Sequence, residues 1–327
     1  MKMRIPEYKK CLDYLQKNIL ITSHRNPDGD AIGSSLALMH ICKIVGGNPT
    51  VYFQDQLGHE FKYLNGIDSI VDSIDPKKEY DAVFALDLGT TNLLGKDIDL
   101  NSKRFGKIIV IDHHKTRNPF GDLEIVDKNA SATGLLIEEL LNTSNIKPDA
   151  QIAQAIWCAI YTDTGGFKYS STDARTLECG SRMLEAGADP WEATQNLFES
   201  NPFQRMKLLG KALDNLEIRN DGITAGMHVT TQMLEETGAS IHMASSFVNF
   251  ARSIFKVEIA FFVKPDLDNK LHSKVSFRSS GRYPVDIIAR KFGGGGHKNA
   301  AGCKIEKPIA EARKMLFSTI TEFLKNE

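Results

Sequence analysis

The chain is short of the features that mark secreted, membrane-spanning and polymer-binding proteins. Cysteine is sparse: Cys11, Cys42, Cys158, Cys179 and Cys303 are scattered over 327 residues, odd in number and without a CxxC pair. That excludes a disulfide framework and a thiolate zinc site, and it fits a reducing cytoplasm. No run approaches the ~18 apolar residues of a membrane span; the best stretches are as short as Ile108–Ile111 and Ile259–Val263. The opening segment Met1–Lys10 is polar and charged, which argues against a secretory signal. Charge of one sign is not in excess: the net is −1. A long nucleic-acid polymer held by bulk electrostatics is therefore disfavoured, although a local basic patch is not. There is no GxSxG elbow, no phosphate-cradling GxxxxGK[ST] loop and no GxGxxG fingerprint.

What is present is ordinary globular composition, 42% hydrophobic and 25% charged, at a length that suits about two domains. The first 115 residues alternate short apolar runs with helical patterns. Asn18–Thr22, Asn48–Phe53, Asp81–Asp87 and Lys107–Asp112 read as strands, and Ala31–Val45 as a helix. Continuous apolar strands separated by helices predict a mostly parallel, doubly wound sheet. Ligands of such sheets lie at the carboxyl ends of the strands, where acids accumulate here. Thr133–Asn142, Asp149–Thr162, Asp173–Ala186 and the long stretch Pro190–Leu216 read as helices. After Asp221 the pattern becomes that of a smaller α/β domain. Its strands are Gly222–Thr230, Val257–Lys264 and Leu271–Arg278; Ala244–Ser253 is amphipathic and Pro308–Leu324 is a last helix. The expected division is residues 1–190, a connecting helix 191–216, and residues 217–327.

Four clusters carry chemistry. In the turn between the first strand and helix, His24, Asp28 and Asp30 place one imidazole and two carboxylates within seven residues. An Asx-turn with a helix cap accounts for part of this. A mixed imidazole–carboxylate set also suits manganese, iron or zinc. Asp87 ends one strand, and Asp112-His113-His114 ends another. In extended chain, neighbouring side chains point to opposite sides, so one histidine is expected at a metal and the other at substrate. Asp163 ends a helix before Gly165-Gly166, where the helix dipole disfavours an acid unless a cation is present. Two metals need about six or seven such ligands, one of them a bridging carboxylate.

These residues, in this order, resemble the DHH phosphoesterase superfamily, whose naming motif is Asp112-His113-His114. The run His24-Arg25-Asn26-Pro27-Asp28-Gly29-Asp30-Ala31-Ile32-Gly33-Ser34 is similar to its first motif, and Asp87 and Asp163 to its second and fourth. Gly293-Gly294-Gly295-Gly296-His297-Lys298-Asn299-Ala300-Ala301-Gly302 resembles the substrate motif of the associated DHHA1 domain. The chain looks most like the nano-RNA phosphoesterases that also dephosphorylate 3′-phosphoadenosine 5′-phosphate (pAp). It lacks the added domain of RecJ-type exonucleases and the sensory regions of large cyclic-di-AMP phosphodiesterases.

The resemblance implies a DHH domain followed by a DHHA1 domain, with the active site in the cleft between them. It implies that His24 and Asp28 hold one metal, that Asp30, His113 and Asp163 hold a second, and that Asp87 bridges. His114 would touch the scissile phosphate and Asp112 would orient a histidine. Arg278, Gly294, Gly295, Gly296 and His297 would grip substrate. Two Mn²⁺ ions are the expected cofactor, with Mg²⁺ or Co²⁺ as substitutes. The implied substrates are short RNA and nucleotides, in the cytoplasm and without membrane attachment; a homodimer is left open. Independently, residues 270–304 hold eight basic side chains against the single acid Asp286. Most read as a solvated basic face, whereas the glycine run lets backbone N–H groups approach an anion. The competing readings are a hydrolase of linear or cyclic dinucleotides such as c-di-AMP and pApA, a single-strand DNA exonuclease, and a nucleotide-sensing module on a dead site.

Overall fold

Apolar runs too short for a membrane are the right length for strands buried on both faces. Asn18–Thr22 (β1), Asn48–Tyr52 (β2), Ala82–Leu86 (β3), Lys107–Asp112 (β4) and Leu123–Val126 (β5) form one sheet. All its pairings are parallel, in the order β2-β1-β3-β4-β5. The structure, a computed structural model, describes residues 5–267, 269 and 271–327. Met1–Arg4 of the polar N-terminus and Lys270 of the basic stretch fall outside the described residues.

The chain divides into two compact units, Met1–Ser200 and Asn201–Glu327. Its first unit carries the parallel sheet and, among the described residues, the helices Ile5–Leu12 (α1), Gly29–Ile44 (α2), Thr133–Ser144 (α3), Ala150–Asp163 (α4), Ala174–Glu185 (α5) and Pro190–Thr194 (α6). Ile19, Ile21, Phe84, Ile109 and Ile111 face a core shared with α2, α3 and α4, while Leu20, Val83, Ala85 and Val110 face a second, smaller core. The expected parallel sheet is present, but its α-helices pack against one face, while loops and short turns carrying Phe105, Leu88 and Ile74 cover the other. Small residues let the helices approach closely. A Cβ on Gly33 of α2 would lie 2.4 Å from the Ala155 carbonyl oxygen of α4, and one on Gly134 of α3 would lie 2.4 Å from Ala159 Cβ. This close packing brings the start of α2, the start of α3 and the end of α4 to the carboxyl ends of β1, β3 and β4.

The second unit holds Phe203–Asp214 (α7), Thr231–Thr237 (α8), Val248–Arg252 (α9), Val285–Arg290 (α10) and Ile309–Lys325 (α11). Its strands are Glu217–Arg219 (β6), Thr224–His228 (β7), Ile259–Pro265 (β8), Ser273–Ser279 (β9), Gly295–His297 (β10) and Ala300–Ile305 (β11). They form a mixed sheet in the order β10-β11-β9-β8-β7-β6, with β7–β8 its parallel pair. Alternation along β8 separates two cores. Ile259, Phe261 and Val263 pack with α10 and α11, whereas Ala260 and Phe262 pack with α7 and α9.

One helix reading needs correction. Pro190–Leu216 is not a single helix: α6 runs into a π-helical turn at Gln195–Glu199, and α7 starts only at Phe203. Pro202 is the cause, because its ring disfavours helical geometry at the residue before it and its φ suits a helix start. Among the described residues, no helix is long and apolar enough to cross a membrane.

Candidate metal centre

Each acid and imidazole singled out in the first 165 residues sits at the end of an element, and the fold collects them. Asp28 caps α2, its Oδ1 accepting the Asp30 and Ala31 amides at 3.1 Å. A capping role and a candidate ligand position thus coincide in one side chain. Asp30 is buried at the first turn of α2, and the start of α3 is aimed at it. The Thr133 amide donates to Oδ2 at 2.6 Å, the Gly134 amide to Oδ1 at 2.9 Å and the Ser34 hydroxyl to Oδ1 at 3.0 Å. Asp87 leaves β3 with φ 51, a left-handed conformation that Asp and Asn tolerate better than most residues. That bend turns its buried carboxylate toward three histidines. His24 Nε2 is 3.5 Å away, His113 Nε2 3.4 Å and His114 Nδ1 3.5 Å.

The histidine tautomers follow from their partners. His24 Nδ1 lies 2.9 Å from the Arg25 carbonyl and His113 Nδ1 lies 3.2 Å from the Ala130 carbonyl. A carbonyl oxygen only accepts, so Nδ1 carries the proton in both rings and Nε2 is turned to the carboxylates. This is how a metal-binding imidazole is held when a backbone carbonyl fixes its far side. His113 Nε2 also lies 3.6 Å from Asp30 and 3.6 Å from Asp163. His114 is different: its Nδ1–H donates to Asp112 Oδ1 at 2.7 Å. The expectation that the two histidines point apart is not met. Residues 113–114 lie beyond β4, and their rings, with centroids 5.2 Å apart, both reach Asp87.

Three groups of side chains offer ligand atoms within 4.8 Å of one another: His24 with Asp28 and Asp87, Asp30 with His113 and Asp163, and Asp87 with His113 and His114. The crowding perturbs Asp30, Asp87, Asp163, His24 and His113. Burial, and then the charge of Asp87, push Asp30 well above the ordinary carboxyl range. Burial raises Asp163 to about 6, with His113 opposing and the acids Asp87 and Asp28 adding to the rise. Asp87 goes the other way: despite burial, hydrogen bonds to His113 and His24 hold it far below the usual range. Burial would lower the two imidazoles, but Asp28 and Asp87 carry His24 up to about 11, and Asp87 and Asp30 carry His113 up to about 10. Four carboxylates and three imidazoles crowd together here, and divalent cations would offset the repulsion among the acids. The donors are nitrogen and oxygen only, so the set fits hard or borderline ions.

Sequence reasoning missed the residues that hold this array in place. Arg117 is nearly buried and bridges two acids, its Nε donating to Asp112 Oδ2 at 3.2 Å and its Nη1 to Glu124 Oε2 at 2.7 Å. Burial alone would raise Asp112, but the bond from His114 outweighs it and the carboxyl stays below its ordinary value. Thr133 donates its hydroxyl to Asp87 at 3.1 Å. The residues expected to grip substrate lie in the second unit. Arg278 is on β9, paired with Ala300 of β11, and Gly295–His297 form β10, an exposed strand paired with Gly302–Ala300.

Comparison with known proteins matches this picture. Residues 18–160 match the model of the DHH family N-terminal domain, and residues 226–326 match that of the DHHA1 domain. The bifunctional oligoribonuclease and PAP phosphatase NrnA of Thermus thermophilus is 29% identical over 306 residues, spanning 93% of this chain and 89% of that protein. Its namesake in Bacillus subtilis is 27% identical, spanning 89% of this chain and 90% of that protein. The cyclic-di-AMP phosphodiesterase PdeA of Listeria monocytogenes is 30% identical over 94% of this chain, but this chain covers only 48% of it. The crystal structure of an exopolyphosphatase-related protein from Bacteroides fragilis superposes with a TM-score of 0.90 at 26% identity, covering 97% of this chain and 96% of that one.

Proposed function

The chain belongs to the DHH family and is a phosphoester hydrolase, and from that premise we propose that it cleaves short oligoribonucleotides, of about two to five nucleotides, to mononucleotides and pAp to AMP. The observation that carries the reading is the convergence of His24, Asp28, Asp30, Asp87, His113 and Asp163 at the ends of β1, β3, β4 and α4. Likeness to the NrnA proteins over most of both chains supports the choice of substrate.

In this reading His24, Asp28 and Asp87 would hold one divalent cation, Asp30, His113 and Asp163 would hold a second, and Asp87 would contribute to both. Such ions supply Lewis acidity, acidifying the attacking water and neutralising charge on the phosphoryl oxygens. We assign them as Mn²⁺, with Mg²⁺ or Co²⁺ able to substitute. The protein's own groups do the rest. The α3 N-terminus fixes Asp30, and Thr133 fixes Asp87. His114 is held by Asp112, whose hydrogen bond is the main cause of its raised pKa. A cationic His114 donates to a phosphoryl oxygen and offsets charge as the P–O bond breaks. Arg278 supplies a planar fork for a second phosphate of the substrate, and the glycine segment Gly294–His297 a close backbone approach to it, the Gly294 amide itself being held by the Ala289 carbonyl at 3.0 Å. The buried, unpaired cysteines favour a reducing cytoplasm.

The test is one panel with added Mn²⁺: pAp, RNA from dinucleotide to 24-mer (a length ladder reaching beyond ~16-nucleotide binding sites), pApA, c-di-AMP and single-stranded DNA. Fastest turnover of pAp and of the shortest RNA is expected. Fastest turnover of pApA or c-di-AMP would favour the second reading, a dinucleotide-messenger hydrolase, which the likeness to PdeA keeps open. A preference for long DNA would overturn both.

A further inference from the structure

The acids of the metal centre are held unequally. Asp30 accepts from the Thr133 and Gly134 amides and from the Ser34 hydroxyl, and Asp87 accepts from the Thr133 hydroxyl. Asp163 accepts no hydrogen bond among the described residues; it has His113 Nε2 3.6 Å away. It also ends α4, where the helix dipole disfavours an acid. With no donor to orient the carboxylate, its place depends on the backbone that carries it. That backbone is the last turn of α4 and the residues that follow.

Residues 164–169 wrap back over the helix end. The Thr164 amide donates to the Ile160 carbonyl at 3.2 Å, the Gly165 amide to Thr162 at 3.0 Å and the Gly166 amide to Tyr161 at 2.7 Å. The Phe167 amide donates to the Thr164 hydroxyl oxygen at 3.0 Å, and the Lys168 and Tyr169 amides both reach the Thr164 carbonyl at 3.0 Å. Every amide from 164 to 169 is therefore spent on the turn itself. Reversing the chain this tightly takes three successive residues in the left-handed region, Gly165 at φ 59, Gly166 at φ 73 and Phe167 at φ 62. Glycine adopts that conformation freely, whereas an aromatic residue is strained in it. The Phe167 ring is what keeps it there. Its centroid lies 5.3 Å from that of Trp157, edge to face, and 5.6 Å from that of Tyr161. Both partners stand on α4, six and two residues before Asp163, so the ring ties the turn to the helix that ends in this acid. On the far side α5 makes room with Gly180, where a Cβ would lie 3.6 Å from Phe167 Cζ.

We propose that Phe167 is a positioning residue for the second cation: its ring, seated against Trp157, Tyr161 and Gly180, locks the left-handed turn and thereby fixes the Asp163 carboxylate beside His113 and Asp30. The proposal rests on the two-cation reading above and deepens it by naming what holds the ligand that no hydrogen bond orients. The set of His24, Asp28 and Asp87 contains no residue of this turn and does not depend on Phe167.

The test compares wild type with Phe167→Gly, Phe167→Leu and Ile74→Ala, and melting curves check that each variant folds. Phe167→Gly relieves the backbone strain and removes the ring. Phe167→Leu keeps an apolar side chain that fills part of the seat, and it carries the comparison if the glycine variant does not fold. Ile74 belongs to the core on the other face of the sheet, so Ile74→Ala reports lost stability alone. Titration with Mn²⁺, followed by the electron paramagnetic resonance signal of the free ion, counts the sites and gives each dissociation constant without turnover. Phe167→Gly should weaken one of the two ions about tenfold or more, the scale on which loss of a ligand's support is felt, and leave the other within about twofold. Phe167→Leu should show a smaller loss on the same ion. In EDTA, hydrogen exchange at amides 165–169 should speed up about tenfold or more in Phe167→Gly, with the middle of α4 unchanged. Two unchanged ions, equal weakening of both, or the same pattern in Ile74→Ala would overturn the positioning role. So would amides 165–169 that keep wild-type protection in Phe167→Gly. A wild type that binds fewer than two Mn²⁺ ions would defeat the two-cation reading and the positioning role with it, an outcome that the wild-type count separates from failure of Phe167 alone.

Discussion

Replacing Asp87 by asparagine isolates charge from shape at the centre of the proposed metal site. Asparagine also tolerates the left-handed backbone that Asp87 adopts at φ 51, and its Oδ1 can still accept the Thr133 hydroxyl. What is lost is one negative charge, 3.4–3.5 Å from three imidazole nitrogens and shared between both ligand sets. At that distance a unit-charge pair is worth about 5 kcal/mol with an effective dielectric constant near 20. Only part of this appears in the barrier, because ligand geometry relaxes and water enters. A loss of at least about 100-fold in kcat, roughly 2.7 kcal/mol, is the expected floor. Asp87→Ala should behave worse in a separate respect: it adds left-handed strain of about 1–2 kcal/mol and leaves Thr133 without its partner. The assay is kcat on saturating pAp with Mn²⁺, metal per chain by elemental analysis after dialysis, and melting temperature with and without EDTA. Near-normal turnover and wild-type metal content in Asp87→Asn would refute the bridging assignment. Identical melting temperatures for the Asn and Ala variants would refute the backbone argument.

Four further outcomes follow from the structure. Removing divalent ions should abolish hydrolysis and adding Mn²⁺ should restore it. His24 and His113, raised to about 11 and 10, stabilise the metal-free fold fully below ~6.5 and lose that contribution as pH rises toward those values. Asp163, raised to about 6, acts in the same direction from about pH 4 upward. Metal-free stability should therefore fall with rising pH while Mn²⁺ affinity grows, since the ion must displace the imidazole protons; calorimetry in buffers of different ionisation enthalpy reads those protons, and a pH-independent affinity between about 6 and 9 would contradict it. Arg278→Ala and His297→Ala should leave metal content intact and lower kcat/KM for dinucleotides about 10- to 150-fold, with a much smaller loss on a minimal chromogenic phosphodiester; equal losses would place them in the chemical step. Gly33→Val drives a side chain into the Ala155 carbonyl and should cost roughly 1–3 kcal/mol and weaken metal binding, whereas Gly210→Ala, with nothing within 4 Å, should be neutral or mildly stabilising in a urea melt.

The parallel sheet was readable because its strands are buried on both faces and so appear as unbroken apolar runs. Asn18–Thr22 and Lys107–Asp112 match the sequence reading residue for residue. Strand β5 escaped because Leu123–Val126 is short and carries Glu124, and β11 escaped because Ala300-Ala301-Gly302 offers no apolar run. Such segments become strands through their partners: β11 pairs with β9 over six residues, a fact of tertiary context that propensity does not contain. The break between α6 and α7, where a continuous helix is expected, is written in Pro202.

The site was legible for a different reason. Metal-ligand chemistry restricts residue type so strongly that His24, Asp28, Asp30, Asp87, His113 and Asp163 stand out even before their elements are known. What sequence cannot supply is the set of groups that make those ligands competent. Neither Thr133 nor Gly134 is distinctive as a residue type; they matter because their amides open α3 directly onto Asp30. Arg117 and Glu124 look like surface charges until β4 and β5 pair and place the guanidinium between Glu124 and Asp112. Lys264, Lys274 and Lys304 are the extreme case, spaced ten and thirty residues apart in the chain and adjacent only through strand register. The candidate ligands are thus encoded in residue identity, while their orientation and the charge pattern of the second sheet are encoded in packing. Substitutions of the second kind should therefore alter affinity and substrate length before they alter the chemistry itself.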